Sequence, residues 1–209
     1  MPREGATRAP IIDTVILAAG SSSRLGFNKL FLSVDGKPVL TRTLRTFLEL
    51  QAGTVFVVTG FERERVEQLL QDVPVVLVHN SLYPEGIATS VRAVLPFLDA
   101  DHALFLHLGD KPFVRRETLR QMIESFAGKT HPIIIPVYQG QKGHPVLIDV
   151  MPYLDEMRML EGDTALRPII EKHSQDILYV EGDEGILLDL DTDGDIDLLR
   201  RRGYTIEKG

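Results

Sequence analysis

Thr14-Val-Ile-Leu-Ala-Ala-Gly-Ser-Ser-Ser-Arg-Leu-Gly-Phe-Asn-Lys29 is the stretch on which the reading of this chain turns. Val15–Leu17 is an apolar, β-branched run suited to a buried strand. Ala18, Ala19 and Gly20 then remove side-chain bulk, and three serines follow. Small residues let a ligand approach the backbone, and successive free N–H groups can wrap an anion. Arg24 and Lys29 add positive charge. The stretch therefore predicts a strand opening into a phosphate cradle. It is neither a Walker A loop nor a G-x-G-x-x-G fingerprint, because the spacing of Gly20, Gly26 and Lys29 fits neither.

Outward from this stretch, continuous apolar runs alternate with amphipathic ones. Runs at 55–58, 75–78, 103–106 and 133–135 read as further buried strands. Between them, Leu40, Leu44, Phe47 and Leu48, then Val66, Leu69 and Leu70, then Ile87, Val91, Val94 and Leu95, then Leu119, Met122, Ile123 and Phe126 recur at helical spacing. Pro96 should kink or end the third of these helices early. Such alternation implies an α/β fold, a doubly wound, mostly parallel, Rossmann-like sheet covered on both faces. Beyond Gly140 shorter runs at 146–148 and 186–188, with helical pieces at 151–160, 165–173 and 196–201, suggest a small C-terminal β/α extension. Residues 1–12 read as a flexible tail and 13–209 as one nucleotide-handling domain. In doubly wound sheets ligands sit beyond the carboxyl ends of the strands, so the loops at 18–29 and 109–112 should share one crevice.

Composition narrows the partners. With 23 basic and 30 acidic residues the net charge is −7, which argues against a nucleic-acid surface. No apolar run has the length of a membrane span, and the first ten residues lack the apolar core of a signal peptide. Zero cysteine excludes thiolate metal sites and fits a reducing, cytoplasmic setting.

Four further constellations could carry chemistry. Asp110, in Leu108-Gly-Asp-Lys-Pro112, follows a buried strand, where a carboxylate can meet Mg²⁺ shared with substrate phosphates. Gly86, Thr89 and Ser90 open a helix whose amides and hydroxyls either meet a base or ribose or only cap the helix. Lys142-Gly-His-Pro145 places His144 in a loop rather than on an apolar face. Asp189-Leu-Asp-Thr-Asp-Gly194 imitates half an EF-hand loop, but its twelfth position is Arg200 instead of glutamate, which rejects calcium. The strand-like run at 186–190 would put Asp189 and Asp191 on one face.

Together these motifs give the chain a family resemblance. L-A-A-G-x-S-x-R-L-G-x-x-K, Glu85–Arg92, Gly-Asp-x-Pro, Gly-His-Pro, Gly162-Asp-Thr-Ala-Leu-Arg167 and the acidic 189–194 stretch occur in the order found in MobA-like nucleotidyltransferases, and Leu17-Ala-Ala-Gly20 with Gly-His-Pro is similar to the cytidylyltransferase branch. The resemblance implies a Mg²⁺- or Mn²⁺-dependent transfer of CMP from CTP to the phosphate of a molybdopterin-type cofactor. It implies that Leu17, Ala18, Ala19, Gly20, Ser21, Ser22, Arg24, Lys29, Gly86 and Ser90 hold the nucleotide. Arg24, Lys29 and Asp110 would be catalytic; Asp110 with Asp189 or Asp191 would hold the metal. Lys142, Gly143, His144, Asp163 and Arg167 would meet the pterin substrate, and a molybdoenzyme or its chaperone would receive the product. Leu25, Ile87-Ala88, Lys111 and Asp193-Gly194 depart from the family pattern. A guanylyltransferase of the same cofactor, a sugar- or alditol-phosphate cytidylyltransferase, and a non-catalytic nucleotide-binding module are the alternatives.

Overall fold

A computed structural model describes residues 10–21, 25–127 and 130–208. In chain order the strands and helices are β1 (Ile12–Ala18), β2 (Ser33–Val34), β3 (Lys37–Pro38), α1 (Val39–Leu48), β4 (Val55–Thr59), α2 (Arg63–Leu69), β5 (Val76–His79), α3 (Ile87–Val94), β6 (Ala103–Leu108), α4 (Arg116–Ala127), β7 (Ile133–Tyr138), β8 (Gln141–Lys142), β9 (Val146–Asp149), α5 (Leu154–Arg158), α6 (Arg167–Lys172), β10 (Ile177–Glu181), α7 (Asp193–Arg201) and β11 (Ile206–Glu207). The main sheet runs β10-β7-β9-β6-β1-β4-β5, with β8 pairing onto β7. Strand β1 lies parallel to both β4 and β6. The chain winds outward from β1 to β5 and then crosses back to β6, which makes the carboxyl ends of β1 and β6 the switch point of the sheet.

Burial explains why β1 reads as an unbroken apolar run. Val15 and Leu17 face one layer with Ala88, Val91 and Val94 of α3, while Ile16 and Ala18 face the other with Leu40, Leu44 and Phe47 of α1. A strand covered on both faces has no solvent side to fill with polar residues. As Pro96 predicts, α3 stops at Val94 and a 3₁₀ turn, Leu95–Phe97, follows.

The structure corrects three expectations. Strand β1 begins at Ile12, which is 1% exposed and pairs with Ala103, so residue 12 belongs to the sheet rather than to a tail. The run at 146–148 is not a separate extension: β9 inserts antiparallel between β6 and β7, reversed by the turn at Gln139–Gly140, where both residues have positive φ. Nor is 186–190 a strand. A 3₁₀ turn spans Glu184–Ile186 and the next residues are irregular, because Ile186 packs into the α1/α4 layer while Leu190 is drawn into a third cluster with Phe113, Ile196 and Leu199. That cluster belongs to a small sheet, β11-β2-β3, and to α7, which fold back beside the first loop. Among the described residues no helix is long and apolar enough to cross a membrane.

Candidate active site

A cavity of about 1060 Å³ opens at the switch point. Its floor is Leu17–Ser21, the end of β1 and the start of the small-residue loop. One wall carries Leu25, Lys29, Asp110 and Asp191; the other carries Phe61, Tyr83–Ile87, Ser90, Gly162 and Asp163.

The first wall concentrates the charge. Asn28 accepts from the Leu30 N–H (3.2 Å) and so starts the 3₁₀ turn Lys29–Phe31. Asp110 is aimed by its turn: the Gly109 N–H donates to the Leu17 carbonyl (2.9 Å) and the Thr43 hydroxyl donates to the Gly109 carbonyl (2.9 Å). The Lys29 ammonium ion-pairs with both Asp110 and Asp191. Burial opposes its ionisation, but the two carboxylates outweigh burial and hold its pKa above the usual lysine value. Asp189 makes a different contact, an ion pair with Lys111, and lines no part of the cavity. The Asp193 end of the EF-hand look-alike is helix capping, since Thr192 and Asp195 form a reciprocal capping box at the start of α7.

Two carboxylates that reach one ammonium are spaced to reach one small cation. Mg²⁺ takes one or two protein carboxylates and completes its shell with water and phosphate oxygens. Asp110 and Asp191 therefore fit such an ion as residues that would hold it beside a bound triphosphate.

The second wall is built on the start of α3. Gly86 adopts φ +115° and ψ 164°. The Gly162 carbonyl accepts from Ala88 N–H (3.0 Å), and the Asp163 carboxylate accepts from Ile87 N–H (3.2 Å). Asn80 donates to both Thr89 and Ser90 (2.8 and 2.9 Å), and Thr89 donates back to the backbone. Thr89 thus serves the local fold, while Ser90 also faces the cavity.

Of the residues singled out from sequence, Leu17, Ala18, Ala19, Gly20, Ser21, Lys29, Gly86, Ser90, Asp110, Asp163 and Asp191 come together here. Ser22 and Arg24 lie outside the described residues. Lys142, Gly143, His144 and Arg167 do not line the cavity. Lys142 lies over the Tyr179 ring (5.0 Å), and Arg167 is 76% exposed and paired with Glu171. Gly143 is needed for close packing, since a Cβ there would come within 2.6 Å of Ile186. Phe61 and Tyr83 were missed; Phe61 stands just past the end of β4, where the strand-end rule could have found it.

His144 packs beneath the Asp110 turn beside His107, with ring centroids 6.2 Å apart. His107 Nε2–H donates to the Lys111 carbonyl (2.9 Å), and Nδ1 of both rings is buried without a partner. Burial lowers the pKa of His107 to about 3, assisted by the neighbouring His144. Burial and the Lys111 charge lower that of His144 to about 4. Both folded-state values lie below the unfolded value near 6.5, so the unfolded chain binds more protons as pH falls below that value. Stability should therefore drop as the pH falls below about 6.5 toward the folded pKa values. Urea melts at pH 7 and pH 5 should show a smaller acid penalty for His107→Gln than for the parent; equal penalties would contradict the neutral-ring assignment.

Comparisons with known proteins find relatives that share this fold. Residues 14–177 match the MobA-like NTP transferase domain. The molybdenum cofactor cytidylyltransferase of Escherichia coli (strain K12) is 29% identical over 93% of this chain and 97% of its own length. The crystal structure of Rv0371c from Mycobacterium tuberculosis H37Rv superposes with a TM-score of 0.79 at 27% identity, covering 93% of this chain and all of that one (100%). A nucleotidyl transferase from Methanothermobacter shares the fold at 22% identity, with a TM-score of 0.77 over 92% of this chain and 97% of its own. With the family match running from β1 through the start of β10, and the cavity formed where such sheets bind ligands, the chain belongs to the MobA-like NTP transferase family.

Proposed function

We propose that this nucleotidyltransferase joins CMP from CTP to the phosphate monoester of a molybdopterin-type cofactor and releases pyrophosphate, with Mg²⁺ or Mn²⁺ as the metal. The observation that carries the reading is the meeting of Lys29, Asp110 and Asp191 on one wall of a cavity floored by Leu17–Ser21. The likeness to the Escherichia coli cytidylyltransferase supports the choice of nucleotide and acceptor. The absence of cysteine fits action in the cytoplasm, with a molybdoenzyme or its chaperone as recipient.

In this reaction an oxygen of the acceptor phosphate attacks the α-phosphorus of CTP while the bond from that phosphorus to the β-bridging oxygen breaks. The acceptor, with a second pKa of about 6, is already largely ionised at neutral pH. The residues then have to align and neutralise rather than abstract a proton. The backbone at Ala18–Ser21 seats the triphosphate, and Lys29, with Arg24 proposed beside it, balances charge that shifts onto the leaving pyrophosphate. A bound Mg²⁺, held by Asp110 and Asp191, would supply further charge neutralisation at the phosphates. Asp163 and Ser90 face the remainder of the cavity, where base or pterin would lie. Lys142, His144 and Arg167 stay candidates for contacts with the acceptor outside the cavity.

Purified protein with Mg²⁺ and each of four nucleoside triphosphates, with and without molybdopterin, tests the reading by pyrophosphate release. The expected result is release that requires both CTP and molybdopterin. Faster release with GTP favours the guanylyltransferase. Release with a sugar or alditol phosphate in place of the pterin favours that class. CTP binding without release from any acceptor favours the non-catalytic module.

A further inference from the structure

Two ion-pair contacts, not one, join the segment at 189–191 to the turn at 109–112. Lys29 bridges Asp110 and Asp191. Immediately beside it, Lys111 pairs with Asp189. Lys111 is 9% exposed, lines no part of the cavity, and is one of the positions that depart from the family pattern. Its backbone is fixed as well, through the His107 Nε2–H on its carbonyl.

The segment that supplies Asp191 has no ladder of its own, since residues 187–192 form neither helix nor strand. Its position rests on separate anchors. Leu190 is fully buried among Phe113, Ile196 and Leu199. The Asp191 N–H donates to Asp195 (3.1 Å). Asp189 is held by Lys111. Besides the Lys29 bridge to Asp110 itself, the last of these ties the segment to the residue adjoining Asp110. A buried ammonium is costly without a counter-charge, so Lys111 draws Asp189 toward the turn.

We propose that the Lys111–Asp189 ion pair is a positioning clamp that sets the separation of Asp110 and Asp191 for the divalent cation. The inference rests on the cation site proposed above, and it gives Asp189 a role other than metal ligand. Groups that orient metal ligands typically change metal affinity by about 10–100-fold when removed.

The test is Mn²⁺ binding in the presence of CTP, read by electron paramagnetic resonance, alongside kcat and the half-saturating Mn²⁺ concentration. Lys111→Met and Asp189→Asn should each weaken Mn²⁺ by about 10–100-fold. The double variant should be little worse than either single one, because both remove the same interaction. Turnover at saturating Mn²⁺ should fall far less than affinity, and Lys111→Arg should restore most of the affinity. Lys111→Gln, with circular dichroism as a check on folding, replaces Lys111→Met if the latter does not fold. If Lys111→Met binds Mn²⁺ as tightly as the parent or more tightly while Asp189→Asn binds weakly, Asp189 is itself a ligand and the clamp is overturned. Unchanged affinity in both variants overturns the clamp alone, whereas no Mn²⁺ binding by the parent protein overturns the clamp and the cation site together.

Discussion

Asp110→Ala is expected to give folded protein whose pyrophosphate release is at least 10²–10³-fold slower, the size of effect seen when one preorganised charge is removed from a transition state, about 3–4 kcal/mol. Lys29→Ala should lose turnover to a similar degree, but the two variants should differ in stability. Without Asp110, Lys29 keeps Asp191 as a counter-ion, and the wall remains balanced. Without Lys29, two partly buried carboxylates face each other with their shared cation gone. Like charges at short range destabilise, so Lys29→Ala should melt below Asp110→Ala. Millimolar Mg²⁺ should recover part of that loss by binding between the carboxylates. Thermal melts with and without Mg²⁺, beside the turnover assay, check both halves. Near-parent turnover in either variant, or a Lys29→Ala melting point indifferent to Mg²⁺, would contradict the assignment of this wall.

The sequence showed this wall as a consequence of topology. Alternating apolar runs imply parallel strands, parallel strands put loops at one end, and Gly20–Lys29 and Asp110 lie on loops at that end. The motif offers both Asp189 and Asp191, of which Asp191 lines the cavity and Asp189 does not, and the strand face that would pair them does not exist. There the apolar residues serve two different clusters, and a run that feeds two cores has no single period to read. Strand β10 escaped notice for a related reason. It is an edge strand in which Ile177 and Val180 are buried while Tyr179 is 42% exposed, so neither a continuous apolar run nor strict alternation marks it. The insertion of β9 between β6 and β7 was equally invisible, because the turn at Gln139–Gly140 is local but the pairing of β9 with β6 joins residues at least forty apart in sequence. The Gly-His-Pro stretch reads as an open loop, and the close packing of Gly143 on Ile186, away from the cavity lining, has no local sequence signal.

Gly86→Ala should be the most disruptive single-methyl change in the second wall. At φ +115° and ψ 164° Gly86 occupies a region open essentially to glycine alone, and strain of this kind costs about 1–3 kcal/mol. An added Cβ would also lie 2.5 Å from the Gly162 carbonyl oxygen and 2.6 Å from its carbon, both backbone atoms that cannot swing aside. That carbonyl accepts from Ala88, and the adjoining Asp163 carboxylate accepts from Ile87, so displacing the loop uncovers the first amides of α3. A lost helix cap costs about 1 kcal/mol more. The sum, about 3 kcal/mol, corresponds to a drop in Tm of roughly 6–12 °C for a chain of this size. Because Gly86, Ser90, Gly162 and Asp163 form one wall of the cavity, CTP affinity should fall at least about 10-fold, a loss of 1.4 kcal/mol in binding. Gly20→Ala provides the contrast: a Cβ there meets nothing within 4 Å, so Tm should hold even though the methyl enters the cavity floor. Melting curves and CTP titrations of the two variants separate the roles of these glycines. A Gly86→Ala protein as stable as its parent would mean that the 162–163 loop is not seated on α3 as described.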